Sequence, residues 1–497
     1  MKKSNSLFYT ILFILLLAWN APSTTASAAD GTYSTYVNSA RGYQFNYPSH
    51  MQIDESLQQV RTIIFDDQTQ IEVYYDNFTN TIHDANKYIN YSNNFVSNKK
   101  DHIFEYNKTS KIAGKKVHML KWHRNKVTKL RNDKNYYFSA EIIKNKNEVF
   151  TVFIKSAQPI TNELSILKSF KIVKPKGNIA ALPTPLFRQN ETKQFSEETA
   201  AALKQYFSNE SPLTWGIFEP TAPNRMNYLN QIEEKVDYEF KFLIRYTNLD
   251  ELVPQQELFN AYNEGKIVEL TLQTSHSTLD DSSIFYDILN GKYDDYLHQY
   301  AKAIKEFNHP VLFRLNNEMN GDWCVYSSYY FSKDTDLYKE VWKYVYRIFE
   351  REQIDNVLWV WNPNHDSMPG FSWNHSLMYY PGDQYVDIVG LTAYNTGTYY
   401  PGEKWSNFFS LYQPLYNQYA ALSAKPLMIT EFGSNSVGGD KVQWIHNMFS
   451  NINKFPRIKV AIWWSGTDWD SKGNPARIYR LDENEAVLNA FKQNLQK

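Results

Sequence analysis

Cysteine is almost absent from this sequence: Cys324 stands alone in 497 residues. An internal disulfide and a thiolate metal cluster are therefore both excluded, and an exported fold must stand on its apolar core. Charge of one sign is missing as well, since 52 Lys and Arg balance 53 Asp and Glu for a formal net charge of -1. That balance carries no footprint of a nucleic-acid or anionic-membrane binder and suits a neutral partner. There is no HExxH pattern and no carboxylate cluster around His365, so no metal is assigned. No Gly-rich turn of the dinucleotide type follows a first strand, and no cofactor is expected. Long apolar runs are missing except for one, from about Leu7 to Trp19, which follows Met1-Lys2-Lys3 and precedes Ala26-Ser27-Ala28. It is short for a membrane span and reads as a signal peptide over 1–29, with an uncleaved anchor as the alternative. The expectation is a secreted, extracellular monomer with no membrane span after signal removal.

What is present divides into two patterns. From 30 to 173, short alternating strands such as YQFNYP, RTIIFDD, QIEVYYDN, HMLKWHR and NEVFTVFIKS surround one helical stretch, DANKYINYSNNFV. This predicts a small α+β domain with an antiparallel sheet. Residues 174–195 carry three prolines and little periodicity, as a linker does. Ser196 before Glu197 and Glu198 then reads as a helix N-cap with acids in its first turn. Over 196–497, β-rich runs alternate with amphipathic helices: LTWGIF, FKFLIRY, IVELTLQT, VLFRLNNE, VLWVWNPN, VDIVGLTAYN, PLMITEFG and IKVAIWWSG. Eight strands in about 300 residues predict a (β/α)8 TIM barrel, α/β in class.

Such barrels build their sites at the C-terminal ends of the strands. Glu318 follows the fourth apolar run, flanked by Asn316, Asn317 and Asn320, and Glu431 holds the equivalent place in the seventh. Two carboxyls on opposite walls of one pocket are what retaining glycoside hydrolysis requires. Aromatics make up 16% of the residues, enough to provide stacking platforms for sugar rings as well as core packing.

The stretches KYDDYL, NEMNGDW, NVLWVWNPN, DIVGLTAYN, ITEFG and the later WW…DW, in a match over about 285–470, resemble glycoside hydrolase family 26, a barrel family best represented by endo-β-mannanases. The resemblance implies Glu318 as general acid/base and Glu431 as nucleophile, with Tyr394 donating to Glu431 and Arg314 bracing the pair. It implies Trp323 and Trp464 as sugar platforms and Trp361, Asn362, Asp468 and Trp469 shaping the cleft, while Asn317 is similar to the Asn that contacts the sugar 2-hydroxyl in many related barrel families. Three stretches depart from the family pattern. Asn317 stands where the mannanases carry His, Cys324 and Val325 where aromatics are frequent, and Thr271-Leu272-Gln273 where a Trp-containing strand end is usual. The opening ARGYQFNYP and closing LSILKSFKIV resemble PsbP-like domains. The expected activity is endo-hydrolysis of a β-linked polysaccharide, mannan first, with xylan, mixed-linkage glucan or bacterial exopolysaccharide behind it. The alternative is a noncatalytic carbohydrate-binding cell-surface protein on a degenerate barrel.

Overall fold

The computed structural model of the protein describes residues 32–495, so the segment read as a signal peptide lies outside the described residues. No helix among the described residues is long and apolar enough to cross a membrane.

The first ten strands, all in antiparallel pairings, are β1 (Tyr33–Asn38), β2 (Tyr43–Pro48), β3 (Gln52–Asp54), β4 (Arg61–Phe65), β5 (Thr69–Asn77), β6 (His102–Ile112), β7 (Lys115–Arg124), β8 (Tyr136–Asn145), β9 (Glu148–Ser156) and β10 (Lys171–Ile172). They form a seven-stranded sheet in the order β3-β4-β5-β9-β8-β7-β6 and a three-stranded one, β1-β2-β10. Helix α1 (Ala85–Ser92) starts at Asp84, whose carboxylate accepts from the Asn86 and Lys87 amides. It ends before the predicted stretch does, at Asn93, and a 3-10 turn over Asn94–Ser97 follows. Helix α2 (Glu163–Ser169) covers the outer face of the domain.

Strand β9 is buried almost end to end, because both faces of the large sheet are covered. Phe150, Val152 and Ile154 point outward to Tyr43, Phe45 and Phe170. Phe153, Tyr137 and Trp122 instead join the apolar cluster of the barrel. The sheet and the barrel thus share one apolar interior on their facing sides.

The closed parallel barrel comprises β11 (Thr214–Phe218), β12 (Phe242–Thr247), β13 (Ile267–Leu272), β14 (Val311–Leu315), β15 (Val357–Trp361), β16 (Ile388–Asn395), β17 (Leu427–Ser434) and β18 (Ile458–Trp464). Helix α3 (Glu197–Phe207) is capped by Ser196, whose hydroxyl accepts from the Thr199 amide. Around the barrel lie α4 (Asn227–Val236), α5 (Gln255–Asn263), α6 (Ile284–Leu289), α7 (Asp294–Phe307), α8 (Thr335–Arg351), α9 (Phe408–Leu422), α10 (Lys441–Asn451) and α11 (Glu485–Leu495). Inside the barrel, Phe242, Ile244, Leu312, Leu358, Val360, Ile388, Met428, Val460 and Ile462 make a separate apolar plug, joined by Phe207 of α3. Alternation along the strands sends their neighbours outward to the helices. The segment 174–195 lies against the barrel through Phe187, which is fully buried and packs on Trp361, Tyr380 and Tyr419.

Candidate active site

Above the apolar plug the inward positions turn polar. Arg314 sits at the centre, fully buried, with Nη1 2.6 Å from Glu431 Oε1 and Nε 2.7 Å from Glu269 Oε1. Its Nε also donates to Thr271 Oγ1 at 2.8 Å and its Nη1 to Asn362 Oδ1 at 3.0 Å. The contacts to the carboxylates are close in distance but not aligned as hydrogen bonds. Both Glu269 oxygens, Glu431 Oε1 and Arg314 Nη2 have no hydrogen-bond partner among the described residues. One guanidinium therefore faces two carboxyls, one sealed inside the barrel and one at the floor of the cleft.

Glu431 lies on β17, whose pairing with β18 skips between Ile429 and Phe432. Tyr394, at the end of β16, donates to its Oε2 at 2.8 Å. The Tyr394 phenol itself is pushed far above its ordinary range, by burial first and then by the Glu431 charge, so it remains a donor.

Glu318 follows β14 through a strained turn. Asn316 and Glu318 both have positive φ, 53° and 54°. Asn tolerates this conformation; Glu does so rarely. The turn is fixed from all sides. The Thr274 amide donates to Asn316 Oδ1 at 2.7 Å, Gln273 Nε2 to Asn317 Oδ1 at 3.0 Å, and the Glu318 amide to the Asn362 carbonyl at 2.8 Å. Burial, reinforced by the Glu431 charge, raises the Glu318 carboxyl from 4.5 to about 8, against the opposing effects of Arg314 and the Trp323 indole. The sealed Glu269 is likewise raised to about 8, by burial first, with Arg314 opposing and Glu431 adding.

These groups open onto a cleft of about 500 Å³ lined by Tyr246, Glu318, Trp323, Asn364, His365, Tyr394, Thr396, Glu431, Trp464, Asp468, Arg477 and Tyr479. Trp464 stacks on Phe218 at 5.2 Å. Each tryptophan folds back over a glycine. A Cβ at Gly321 would meet Trp323 Cε2 at 2.5 Å, and one at Gly466 would meet the Trp464 ring at 2.4 Å. Asp468 faces Arg477 at 3.1 Å, and Arg477 also pairs with Glu403 at 2.6 Å. A larger hollow of about 770 Å³ around Arg225 and Asn260 contains one acid, Glu264, and no carboxyl pair. Among the described residues no group of three or more His, Cys, Asp or Glu is placed to hold a metal ion.

Of the residues singled out in the sequence, Glu318, Trp323, Tyr394, Glu431, Trp464 and Asp468 face this cleft. Arg314 and Asn362 lie beneath its floor, both fully buried. Asn317 is turned away, its amide oxygen taken by Gln273 and by the Tyr326 hydroxyl at 3.2 Å. Trp361 requires a correction: it projects to the outside of the barrel against Phe187 and Tyr380, because its parity on β15 is opposite to that of Val360. Trp469 is also outside the cleft, 62% exposed on the short hairpin of β19 (Thr467–Trp469) and β20 (Pro475–Ile478). Tyr246, Glu269, Arg477 and Tyr479 were not found from the sequence. The first two were within reach, as inward positions of FKFLIRY and IVELTL two residues from Ile244 and Thr271. Arg477 and Tyr479 come from the hairpin that follows the barrel and carry no such signal.

The family model for glycosyl hydrolase family 26 matches residues 243–453. Endoglucanase H of Acetivibrio thermocellus is 30% identical over 286 residues, covering 56% of this chain and 30% of that protein. A mannan endo-1,4-beta-mannosidase of Bacillus subtilis is 27% identical over 244 residues, covering 44% of this chain and 60% of that protein. The chain thus spans less than two thirds of the length of either relative. The solved structure of the Bacillus subtilis mannanase BCman overlaps 60% of this chain and 93% of its own, at 20% identity and a TM-score of 0.43. The family-model match and the two curated relatives make the barrel of this chain similar to glycosyl hydrolase family 26.

Proposed function

We propose that the protein is a secreted retaining endo-glycosidase of a β-linked polysaccharide of mannan type. The observation that carries this reading is a pair of carboxyls on one cleft in unlike surroundings. Glu318 is raised to about 8 and so holds its proton at neutral pH. Glu431 instead has Arg314 at 2.6 Å and accepts from the Tyr394 hydroxyl at 2.8 Å. Separating two carboxyls in this way assigns acid and nucleophile.

In the first step the Glu431 carboxylate attacks the anomeric carbon while Glu318 gives its proton to the departing glycosidic oxygen. A covalent glycosyl-enzyme of inverted configuration results. Glu318, now ionised, takes a proton from water, which displaces the Glu431 ester and restores the original configuration. The cleft tryptophans would present indole faces to the apolar faces of the sugar rings. Export rests on the sequence alone.

A 2-fluoro glycoside of the correct sugar should trap the intermediate, and peptide mapping should find the label on Glu431. Labelling elsewhere, or product of inverted configuration by NMR, would remove the mechanism. A second reading, β-glucan as substrate, is favoured by the name of the endoglucanase relative. Reducing-sugar release from mannan, mixed-linkage glucan and xylan separates the two. Binding of these polymers without release of sugar by the unmodified protein would leave the noncatalytic alternative.

A further inference from the structure

Residues 316–334, which join β14 to α8, carry Glu318 at one end and place Trp323 in the cleft, yet contain no helix or strand. The sheet domain holds this loop at both ends. At the far end Ser332 and Lys333 are consecutive non-glycine residues with positive φ, 59° and 57°. Trp122 Nε1 donates to Ser332 Oγ at 3.0 Å. Lys333 Nζ donates to Asn93 Oδ1 at 2.9 Å and Ser139 Oγ at 3.1 Å, and lies 3.2 Å from Glu141. Two adjacent left-handed residues persist only where surroundings over-determine them, and here the surroundings are the sheet. At the near end the Tyr91 hydroxyl, from α1, donates to the Asp322 carboxylate. The Tyr91 ring lies 5.1 Å from that of Tyr329, and the Tyr330 hydroxyl donates to the Asp322 carbonyl at 2.5 Å. Burial, together with the Asp322 carboxylate, holds the Tyr91 phenol above its ordinary range, so it stays a donor.

Asp322 immediately precedes Trp323, whose side chain is 51% exposed and folded over Gly321. A half-exposed indole lacks the packing that would fix it from all sides, so its place depends on its own backbone. We propose that Tyr91 of the sheet domain is a positioning residue for the cleft, fixing Asp322 and through it the Trp323 platform against the substrate. The sheet domain is then part of the frame of the site and adjusts how substrate is held. This inference rests on the polysaccharide-cleaving reading above.

Tyr91 is 37% exposed, so removal of its hydroxyl opens no cavity in a core. In the full chain, Tyr91→Phe should raise KM for a β-linked hexasaccharide roughly three- to tenfold, the size of one lost hydrogen bond, with kcat and the urea midpoint little changed. In a Trp323→Ala background the same substitution should have no further effect on KM, because the residue through which it acts is gone. An unchanged KM in Tyr91→Phe, or an equal rise in both backgrounds, would overturn the proposal while leaving the catalytic reading intact. Absence of cleavage by the unmodified protein would instead sink the reading on which it rests.

Discussion

Two clusters of buried charge dominate this molecule, and they drive carboxyl groups in opposite directions. Between the sheet and the barrel, Arg61, Lys155, Lys333 and Lys339 face Glu72, Glu141, Asp334 and Asp336. At the barrel centre Arg314 alone serves Glu269 and Glu431, with Glu318 close enough to feel both Arg314 and Glu431. Burial raises carboxyls in both places. At the interface it is outweighed: Arg61 and Lys155 bring Glu72 down to about 2, and Lys333 and His118 do the same for Glu141. Asp334, which shares Lys155 with Asp336, goes up. At the barrel centre burial wins, and Glu318 and Glu269 rise to about 8. The difference lies in the supply of cations: a balanced cluster keeps Glu72 and Glu141 charged and cements two units, whereas an acid excess around one arginine stores protons.

The strongest challenge to the comparison is to remove the stored proton that the mechanism uses. Glu318→Ala should slow cleavage of the natural polysaccharide roughly 10²- to 10⁴-fold, the usual worth of general acid catalysis. An aryl glycoside with an activated leaving group needs less protonation and should lose far less in its first step. Equal losses on both substrates in pre-steady-state measurements would show that Glu318 is not the acid.

A smaller effect is expected from turning the balanced cluster into an unbalanced one. Lys155 is buried, with Nζ 2.8 Å from Glu72, 2.9 Å from Asp334 and 2.5 Å from Asp336. Lys155→Met leaves these carboxyls short of a cation, and breaking such a buried pair costs roughly 3–5 kcal/mol. A carboxyl depressed in the folded state contributes stability above its unfolded pKa and loses it as pH falls through the folded one. The variant's deficit in urea denaturation should therefore be full at pH 7 and shrink as the two depressed carboxyls, Glu72 and Asp336, protonate. A deficit independent of pH would mean that Lys155 acts through packing alone. The continuous apolar cluster also implies that the barrel expressed without its sheet exposes the face now covered by Trp122, Tyr137 and Phe153.

How much of this could be read beforehand depended on how local each signal was. Glu318 and Glu431 follow apolar runs directly, so the end-of-strand rule found them. Counting parity along those runs would have gone further. It separates Arg314, inward with Leu312, from Arg245, outward to Glu257 of α5. It would also have withdrawn Trp361 and added Tyr246. The interface was illegible for a different reason, because Lys155 and Trp122 meet partners 179 and 210 residues away. Nothing in NEVFTVFIKS distinguishes a buried, triply paired lysine from an exposed strand end. The departures at Asn317 and Gln273, noted separately in the sequence, turn out to be each other's hydrogen-bond partners.

The last prediction isolates proton storage from catalysis. Glu269 is sealed inside the barrel, and burial, aided by the Glu431 charge, raises its carboxyl to about 8 against the pull of Arg314. In the unfolded chain the same group titrates near its ordinary 4.5. Between these two values the folded protein keeps a proton that the unfolded chain has released, so the native state binds more protons and its stability falls as pH rises. The slope attributable to this one group is about 1 kcal/mol per pH unit. Glu269→Gln keeps the shape and stays neutral at every pH, so it removes that slope and leaves the contribution of Glu318. Urea denaturation of the two proteins from pH 5 to 8 should give a shallower decline for the variant, with its advantage largest near pH 8. Parallel curves would mean that Glu269 is ionised in the folded protein, with Arg314 satisfying two carboxylates at once, and the contrast between the two clusters would fail at its centre.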